Sequence, residues 1–162
     1  MPHKPQFVEE EYAGNSGAGI FDDIVQQIDW SVGEVVKAIE AQGLEEDTLV
    51  FFCSDNGPIL EGSAGPMSGN KFSSFEGGMR TPAIFGAPGT EPAGEVSDEI
   101  PSTKDLLPTF AQFAGTKVSG DRTYDDFDIA ELLEGKNPKS PRNEILYYGA
   151  NTELINGIRV RD

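Results

Sequence analysis

The stretch TLVFFCSDNGP, Thr48 to Pro58, gives the strongest indication of the fold class. It is a short apolar run that ends in the polar cluster SDNGP. Such a run is typical of a strand with both faces buried, as in a parallel sheet. A long helix is predicted before it, because apolar residues recur at helical spacing from Ile20 to about Gln42, and Gly43 is suited to end the helix. A helix followed by a buried strand predicts the α/β class.

The rest of the chain alternates loops with shorter elements. Residues 1–19 are predicted to be a loop, and Thr81–Pro88 a second strand. Three further elements are predicted: a helix in TKDLLPTFAQFAG that stops at Gly115, a short helix in IAELLEG, and a hairpin of NEILYYGA with ELINGIRVRD. The composition changes after Gly115, which predicts a boundary between residues 1–115 and 116–162.

The composition limits the kinds of partner. The chain has 162 residues, enough for one domain or a piece of a larger one, and a formal net charge of −16. That charge argues against nucleic acid and anionic membranes as partners, since both attract excess Lys and Arg. The acidic residues predict a solvated surface, with carboxylates around a divalent cation as the alternative. One cysteine excludes an internal disulfide and a cysteine-based zinc cluster, and no apolar run is long enough to span a membrane.

Asp55 and Asn56 stand where the predicted strand ends. In open α/β sheets, ligands bind outside the carboxyl ends of the strands. Carboxylate and amide oxygens are hard ligands that suit Ca²⁺ or Mg²⁺. The alternative is an ordinary turn, since Asn-Gly is a common turn dipeptide and Asp often bonds its own backbone in turns. The two residues alone favour the turn over the metal.

The stretch from Gly57 to Gly78 is rich in glycine and serine and too long for a plain connection. That length is typical of a functional or a disordered loop. Lys71 is the first cation after the Asp-Asn pair, and it could hold an oxyanion as a point charge or simply face solvent. Glu76 and Arg80 flank the double glycine, and their spacing of four favours a structural ion pair.

His3 and Cys53 are the remaining residues with reactive side chains. His3, the only histidine, lies between two prolines that favour an extended backbone. It could donate to an anion or act as an acid or base, or it could be incidental. Cys53 lies inside the apolar run without an activating neighbour, and we expect it to pack in the core.

Three motifs, taken in order, resemble the sulfatases of the arylsulfatase type within the alkaline phosphatase superfamily. They are TLVFFCSDNGP, GPMSGNKFSSFEGGMRTPAIF and DLLPTFAQFAG. PHKPQFV near the start and FDIAELLEG with SPRNEILYY near the end also fit, so the resemblance covers nearly the whole chain. It implies a partial α/β/α sandwich with a mixed β-sheet, plus the start of a small C-terminal α+β subdomain. Residues 1–115 would be the C-terminal portion of the catalytic domain, and residues 116–162 the beginning of that subdomain.

The resemblance implies hydrolysis of sulfate esters and gives roles to four residues. Asp55 and Asn56 match two ligands of a metal that is normally Ca²⁺, with Mg²⁺ as the other option. Lys71 matches the lysine that contacts the sulfate group. His3 matches the histidine of the Pro-His-x-Pro segment, which reaches the sulfate or the leaving oxygen. Together a dication, a lysine and a histidine offset the charge of a sulfate group in transfer.

One part of the family pattern is missing. The family's nucleophile is a formylglycine made from the Cys or Ser of a Cys/Ser-x-Pro-x-Arg motif, and this sequence contains no such motif. The first metal-binding Asp pair, and the Lys and His beside the nucleophile, belong upstream and are absent too. The isolated chain is therefore predicted to be an inactive fragment whose partner is the N-terminal part of the same domain.

The family also sets expectations for substrate and location. The substrate of the parent would be a sulfate-ester small molecule or a sulfated glycan. Sulfatases of this type are usually exported, which makes the periplasm, the extracellular space or the lysosome the expected location. Two alternatives stay open: a phosphomonoesterase or phosphonate hydrolase of the same superfamily, and a non-catalytic relic that binds an anion or a partner.

Overall fold

The computed structural model describes residues 2–59, 61–89, 92–149 and 154–161. The chain divides into two compact units, Met1–Ala87 and Pro88–Asp162, which we call the N-terminal and the C-terminal unit. The predicted boundary after Gly115 concerns the domains of the whole protein, and it stays a prediction.

The N-terminal unit contains one long helix, α1, Ile20–Ala41. It ends as the sequence predicts. The N–H of Gly43 donates to the carbonyl of Glu40 and the N–H of Leu44 to that of Ile39, which is a Schellman motif. Gly43 has a φ of 64°, in the left-handed region that glycine adopts without steric cost.

A buried carboxylate fixes the loop that leads into α1. Asp23 lies in the first turn and accepts hydrogen bonds from the N–H groups of Gly14, at 2.8 Å, and Ser16, at 2.9 Å. The Ser16 side chain and these N–H groups hold the pKa of Asp23 below its ordinary value, because all of them favour the charged form. The helix therefore begins with its loop tied to it.

The two predicted strands pair with each other, but in an antiparallel manner. Strand β1, Val50–Cys53, lies beside β2, Ala83–Gly86, with Phe51 opposite Phe85. All four residues of β1 are half-buried. The prediction of a parallel strand buried on both faces is therefore wrong for the described part of the chain, because the two-stranded ladder leaves both faces partly open.

The predicted loop between the strands contains a single helical turn, α2, Glu76–Met79. The double glycine lies in this turn rather than in irregular loop, and both glycines are buried. The N–H of Gly78 donates to the carbonyl of Phe75 at 2.9 Å, which closes the turn.

The C-terminal unit contains the remaining elements in the predicted order. A 3-10 turn, Thr103–Asp105, leads directly into α3, Leu106–Phe113, and Gly115 follows with a φ of 68°. The other elements are α4, Ala130–Leu133, and the antiparallel strands β3, Glu144–Tyr148, and β4, Ile155–Val160. The predicted helices and the hairpin strands are confirmed, and part of the connection between the strands lies outside the described residues.

The C-terminal unit is organised around a buried ion pair. Asp105 is fully buried and accepts hydrogen bonds from the N–H groups of Ser102, at 2.8 Å, and Phe127, at 2.9 Å. Two nitrogens of the Arg142 guanidinium also donate to it, with the Nε at 2.9 Å. The same guanidinium lies over the Phe127 ring. One carboxylate thus joins the start of α3, the segment before α4 and the segment before β3.

Apolar burial is sparse in both units. Within the described ranges, four apolar residues are buried: Ala87, Ile100, Ile129 and Ala130. Large side chains of α1 such as Trp30 and Val35 are about half exposed. No helix in the part of the chain that the structure describes is long and apolar enough to cross a membrane.

Candidate active site

The polar cluster after β1 forms a turn held by a buried hydroxyl. Ser54 is buried, and its Oγ donates to the carbonyl of Asn56 at 2.9 Å. Asp55 is exposed and Asn56 is half-buried. The Ser54 hydroxyl closes the turn without using the side chains of Asp55 and Asn56, so the turn is compatible with a metal site at these two residues.

Main-chain hydrogen bonds fasten the lysine loop to this turn. The N–H of Lys71 donates to the carbonyl of Pro58 at 2.8 Å. The N–H of Gly57 donates to the carbonyl of Gly78 at 2.9 Å, directly after Asn56. The position of Lys71 is thus coupled to the Asp55-Asn56 turn by the backbone rather than by side chains.

Glycine is required where these backbone segments meet. A Cβ on Gly57 would lie 1.9 Å from the carbonyl oxygen of Gly77. A Cβ on Gly77 would lie 2.2 Å from the carbonyl oxygen of Gly69, and one on Gly78 would lie 2.4 Å from that of Asn70. Real Cβ atoms do not approach oxygen so closely, so the loop can fold this way only without these side chains.

The Lys71 side chain has no counter-charge among the described residues. In the described ranges no carboxylate lies within ion-pair distance of its ammonium group. The ammonium lies 5.5 Å from the centroid of the Phe72 ring, which is cation–π distance. A lysine in this state can hold an anion without first breaking an ion pair.

His3 lies on an exposed segment. Its Nδ1 is 2.9 Å from the carbonyl oxygen of Lys4, so Nδ1–H donates and Nε2 can accept a proton. The ammonium of Lys4 lies 2.6 Å from Glu61, whose pKa is lowered by that hydrogen bond. The N-terminal segment is thus tied to the same loop that carries Lys71. Over the residues that the structure describes, no hydrogen bond links His3 to the other predicted site residues.

The two predicted ligands fit part of a metal shell. Asp55 and Asn56 offer hard oxygen donors, and no described residue forms a hydrogen bond or ion pair with the Asp55 carboxylate. Ca²⁺ takes six to eight oxygen ligands and Mg²⁺ takes six. No group of three or more His, Cys, Asp or Glu side chains that could hold a metal occurs among the described residues. Further oxygen ligands would be needed to complete the shell.

Several contributors to the site were not predicted from the sequence. Ser54 has a recognisable signal, because serine often closes turns through its hydroxyl. Phe72 has a φ of 77° that no sequence signal indicates, since glycine or asparagine is usual there. Cys53 is half-buried in β1, so the prediction that it packs in the core is wrong for the described part of the chain. The Glu76–Arg80 ion pair stays a prediction.

Comparisons with known proteins agree on one family. The family model described as Sulfatase matches residues 1–116. Steryl-sulfatase of Homo sapiens is 36% identical over 97% of this chain, and arylsulfatase A of Bos taurus is 40% identical over 96% of it. Among solved structures, the PsFucS1 sulfatase from Pseudoalteromonas sp. has a TM-score of 0.89 and 27% identity over 99% of this chain.

The matches also show how much of a sulfatase is present. The chain spans 28% of the steryl-sulfatase, 31% of the arylsulfatase A and 33% of the PsFucS1 chain. The described helices and small antiparallel sheets are consistent with part of the α/β fold of these structures, which confirms the predicted fold class. The chain belongs to the sulfatase family.

Proposed function

We propose that this chain supplies the C-terminal part of a sulfuric ester hydrolase active site, and that the whole enzyme uses water to cleave sulfate esters. The observation that carries the proposal is the hydrogen bond from the N–H of Lys71 to the carbonyl of Pro58, at 2.8 Å. It fastens Lys71, whose ammonium group has no ion-pair partner among the described residues, to the turn that carries Asp55 and Asn56. Family membership supports the reaction class, because the matched proteins are named as sulfatases.

Lys71 and His3 have complementary roles in this proposal. Lys71 binds the sulfate group as a point charge and stabilises the negative charge that the oxygens carry during transfer. His3 uses Nε2 to donate a proton to the sulfate or to the leaving oxygen when the ring is protonated. The leaving alcohol then departs as a neutral molecule rather than as an alkoxide.

Asp55 and Asn56 would hold the metal, Ca²⁺ or Mg²⁺, through their side-chain oxygens. When bound, such a dication offsets the charge of the sulfate oxygens. Two ligands make only part of a shell, so the isolated chain should bind either ion weakly.

We expect no turnover from the isolated chain. The sequence lacks the motif from which the family makes its formylglycine, and without a nucleophile the remaining groups can bind but not transfer the sulfate group. The partner is the remaining part of the same domain, and the substrate is a sulfate-ester small molecule or a sulfated glycan. Release of 4-nitrophenol from 4-nitrophenyl sulfate by a pure sample would contradict the expectation.

The anion site is tested by titrating inorganic sulfate into the ¹⁵N-labelled chain and following the amide of Lys71. We expect saturable shifts there that the Lys71→Ala variant loses. Lys37→Ala is the matched control, because Lys37 is an exposed lysine of α1 that already pairs with Glu34. If Lys71→Ala binds sulfate as tightly as the unmodified chain does, Lys71 does not have the proposed role in sulfate binding. Much tighter binding of phosphate than of sulfate would favour the phosphomonoesterase alternative.

The metal site has its own test. Calcium titration should shift the amides of Asp55 and Asn56, and the Asp55→Ala variant should lose those shifts while keeping the response of Lys71 to sulfate. Asp22→Ala is a suitable control because Asp22 is exposed on α1. If calcium still changes the amide shifts of the Asp55-Asn56 turn in Asp55→Ala, the ion binds elsewhere.

A further inference from the structure

Phe72 adopts a backbone conformation that its own packing does not explain. Its φ of 77° is the only positive value at a non-glycine position among the described residues. The left-handed region costs free energy for a residue with a Cβ. Phe72 is 77% exposed in this chain, so burial within the chain does not compensate for that cost. A strained and exposed aromatic residue points to a function rather than to a role in folding.

The turn that strains Phe72 also places it beside Lys71. The N–H of Ser73 donates to the carbonyl of Asn70 at 3.0 Å, which makes residues 70–73 a β-turn. Lys71 and Phe72 are its two central residues, and the positive φ of Phe72 matches the third position of a type II turn. The Ser73 Oγ donates to the same carbonyl at 2.8 Å. The turn therefore presents a cation and an aromatic ring side by side, with the ammonium 5.5 Å from the ring centroid.

We propose that Phe72 is a specificity-determining residue that stacks on a flat ring in the alcohol part of the sulfate ester. This inference rests on the proposed function, because it takes Lys71 as the group that binds the sulfate. An ester of a ring-bearing alcohol carries its charge and its apolar ring within a few bonds of each other. Lys71 and Phe72 have the same arrangement of charge and ring, so one ligand can contact both.

The expected contribution of the ring is modest and measurable. Aromatic stacking corresponds to a factor of about 2 to 12 in affinity. An ester with a ring should therefore bind more tightly than one of equal charge without a ring. Removal of Phe72 should abolish this difference and leave the binding of the sulfate group unchanged.

The test compares 4-nitrophenyl sulfate with methyl sulfate as ligands of the full 162-residue chain, with affinities taken from ¹⁵N amide shifts of the 70–73 turn. The variant is Phe72→Gly, which removes the ring and also suits the positive φ, so the turn is retained. Phe72→Leu keeps an apolar side chain without the ring. Phe7→Ala is the control, because Phe7 is an equally exposed phenylalanine outside the loop.

The expected result is a preference for 4-nitrophenyl sulfate of about 2- to 12-fold that is lost in Phe72→Gly and Phe72→Leu and kept in Phe7→Ala. Equal affinities in the unmodified chain, or a preference that survives in Phe72→Gly, would overturn the inference. The Lys71→Ala variant separates this outcome from the proposed function. If Lys71 does not bind sulfate, the Lys71→Ala variant keeps the affinity of the unmodified chain for methyl sulfate. This result would contradict the proposed function independently of the results with the Phe72 variants.

Discussion

Gly77 carries no side chain because backbone atoms occupy the space that a Cβ would need. The Cβ of Gly77→Ala would lie 2.2 Å from the carbonyl oxygen of Gly69 and 2.7 Å from that of Ser68. Both are main-chain atoms that cannot move alone. We expect Gly77→Ala to lower the free energy of unfolding by about 1–3 kcal/mol, as overpacking does, measured by urea denaturation.

Gly33→Ala is the matched control for this prediction. Gly33 lies inside α1, and a Cβ there would meet nothing within 4 Å. Alanine favours a helix over glycine, so this variant should raise stability by about 0.5–1 kcal/mol. Equal effects of the two alanine substitutions would mean that the loop does not pack as described.

The pair formed by Asp105 and Arg142 should be the most sensitive point of the C-terminal unit. Asp105→Asn would leave the nearly buried guanidinium of Arg142 without its counter-charge. Breaking such a pair typically costs about 3–5 kcal/mol, which we expect as a lower urea midpoint of this unit. Asp125→Asn removes an exposed carboxylate paired with Lys104 and should cost far less stability than Asp105→Asn. A comparable loss of stability in the two variants would contradict the conclusion that the Asp105–Arg142 pair is buried.

At the scale of elements, the first turn of α1 should make stability depend on pH. The pKa of Asp23 is lower in the folded state, so its charged form stabilises the fold above its unfolded pKa of about 3.9. This contribution is lost as the pH falls through the folded pKa. The stability difference between the unmodified chain and Asp23→Asn should therefore be largest near pH 7 and shrink below about pH 4.

The control for this pH dependence is Asp22→Asn, because Asp22 lies in the same turn but is exposed and has no hydrogen bond from the loop among the described residues. Thermal unfolding at pH 7, 5 and 3 would measure both variants. A difference for Asp23→Asn that stays constant across this range would show that its hydrogen bonds do not depend on the charge.

The elements that could be predicted are those with local signals. Helix α1 has helical periodicity and a terminal glycine, and its bounds were predicted to within one residue. The 3-10 turn before α3 follows Ser102, whose side chain and that of Asp105 form a capping box. The partner and direction of β1 could not be predicted, because strand pairing depends on residues far apart in sequence and an apolar run does not encode direction.

The site was predictable only in part. Lys71 was placed by its resemblance to a family motif, since a loop lysine alone has no distinguishing pattern. The contacts that fix it are the main-chain hydrogen bonds from Lys71 to Pro58 and from Gly57 to Gly78, and glycine is the only residue type that marks them in the sequence. The positive φ of Phe72 arises from the turn around it, and nothing in the residue type indicates it.

Across the described residues of the chain, many large apolar side chains are exposed, among them Trp30, Ile84 and Val96. In the described part of the chain, the ladder of β1 and β2 also has two strands only, and unpaired strand edges associate with other chains.

We therefore expect the isolated chain to self-associate as its concentration rises, which sedimentation velocity would measure. Ile84→Lys should weaken this association, because Ile84 is an exposed residue of β2 and a lysine on an edge strand opposes pairing. Val96→Lys adds the same charge at an exposed loop position and should have less effect. A monomer at all concentrations would contradict the expectation.

The hydrogen bond between Gly57 and Gly78 has a consequence for protein engineering. It brings the two ends of an excursion of about twenty residues to within 2.9 Å of each other, with Lys71 inside it. A segment whose ends meet through main-chain atoms can be exchanged as a cassette when the contacts that tie it to the rest of the unit, such as the Lys4–Glu61 ion pair, are kept. Transplanting residues 58–77 between sulfatases, with the glycines kept in place, is thus a route to altered substrate preference on an unchanged framework.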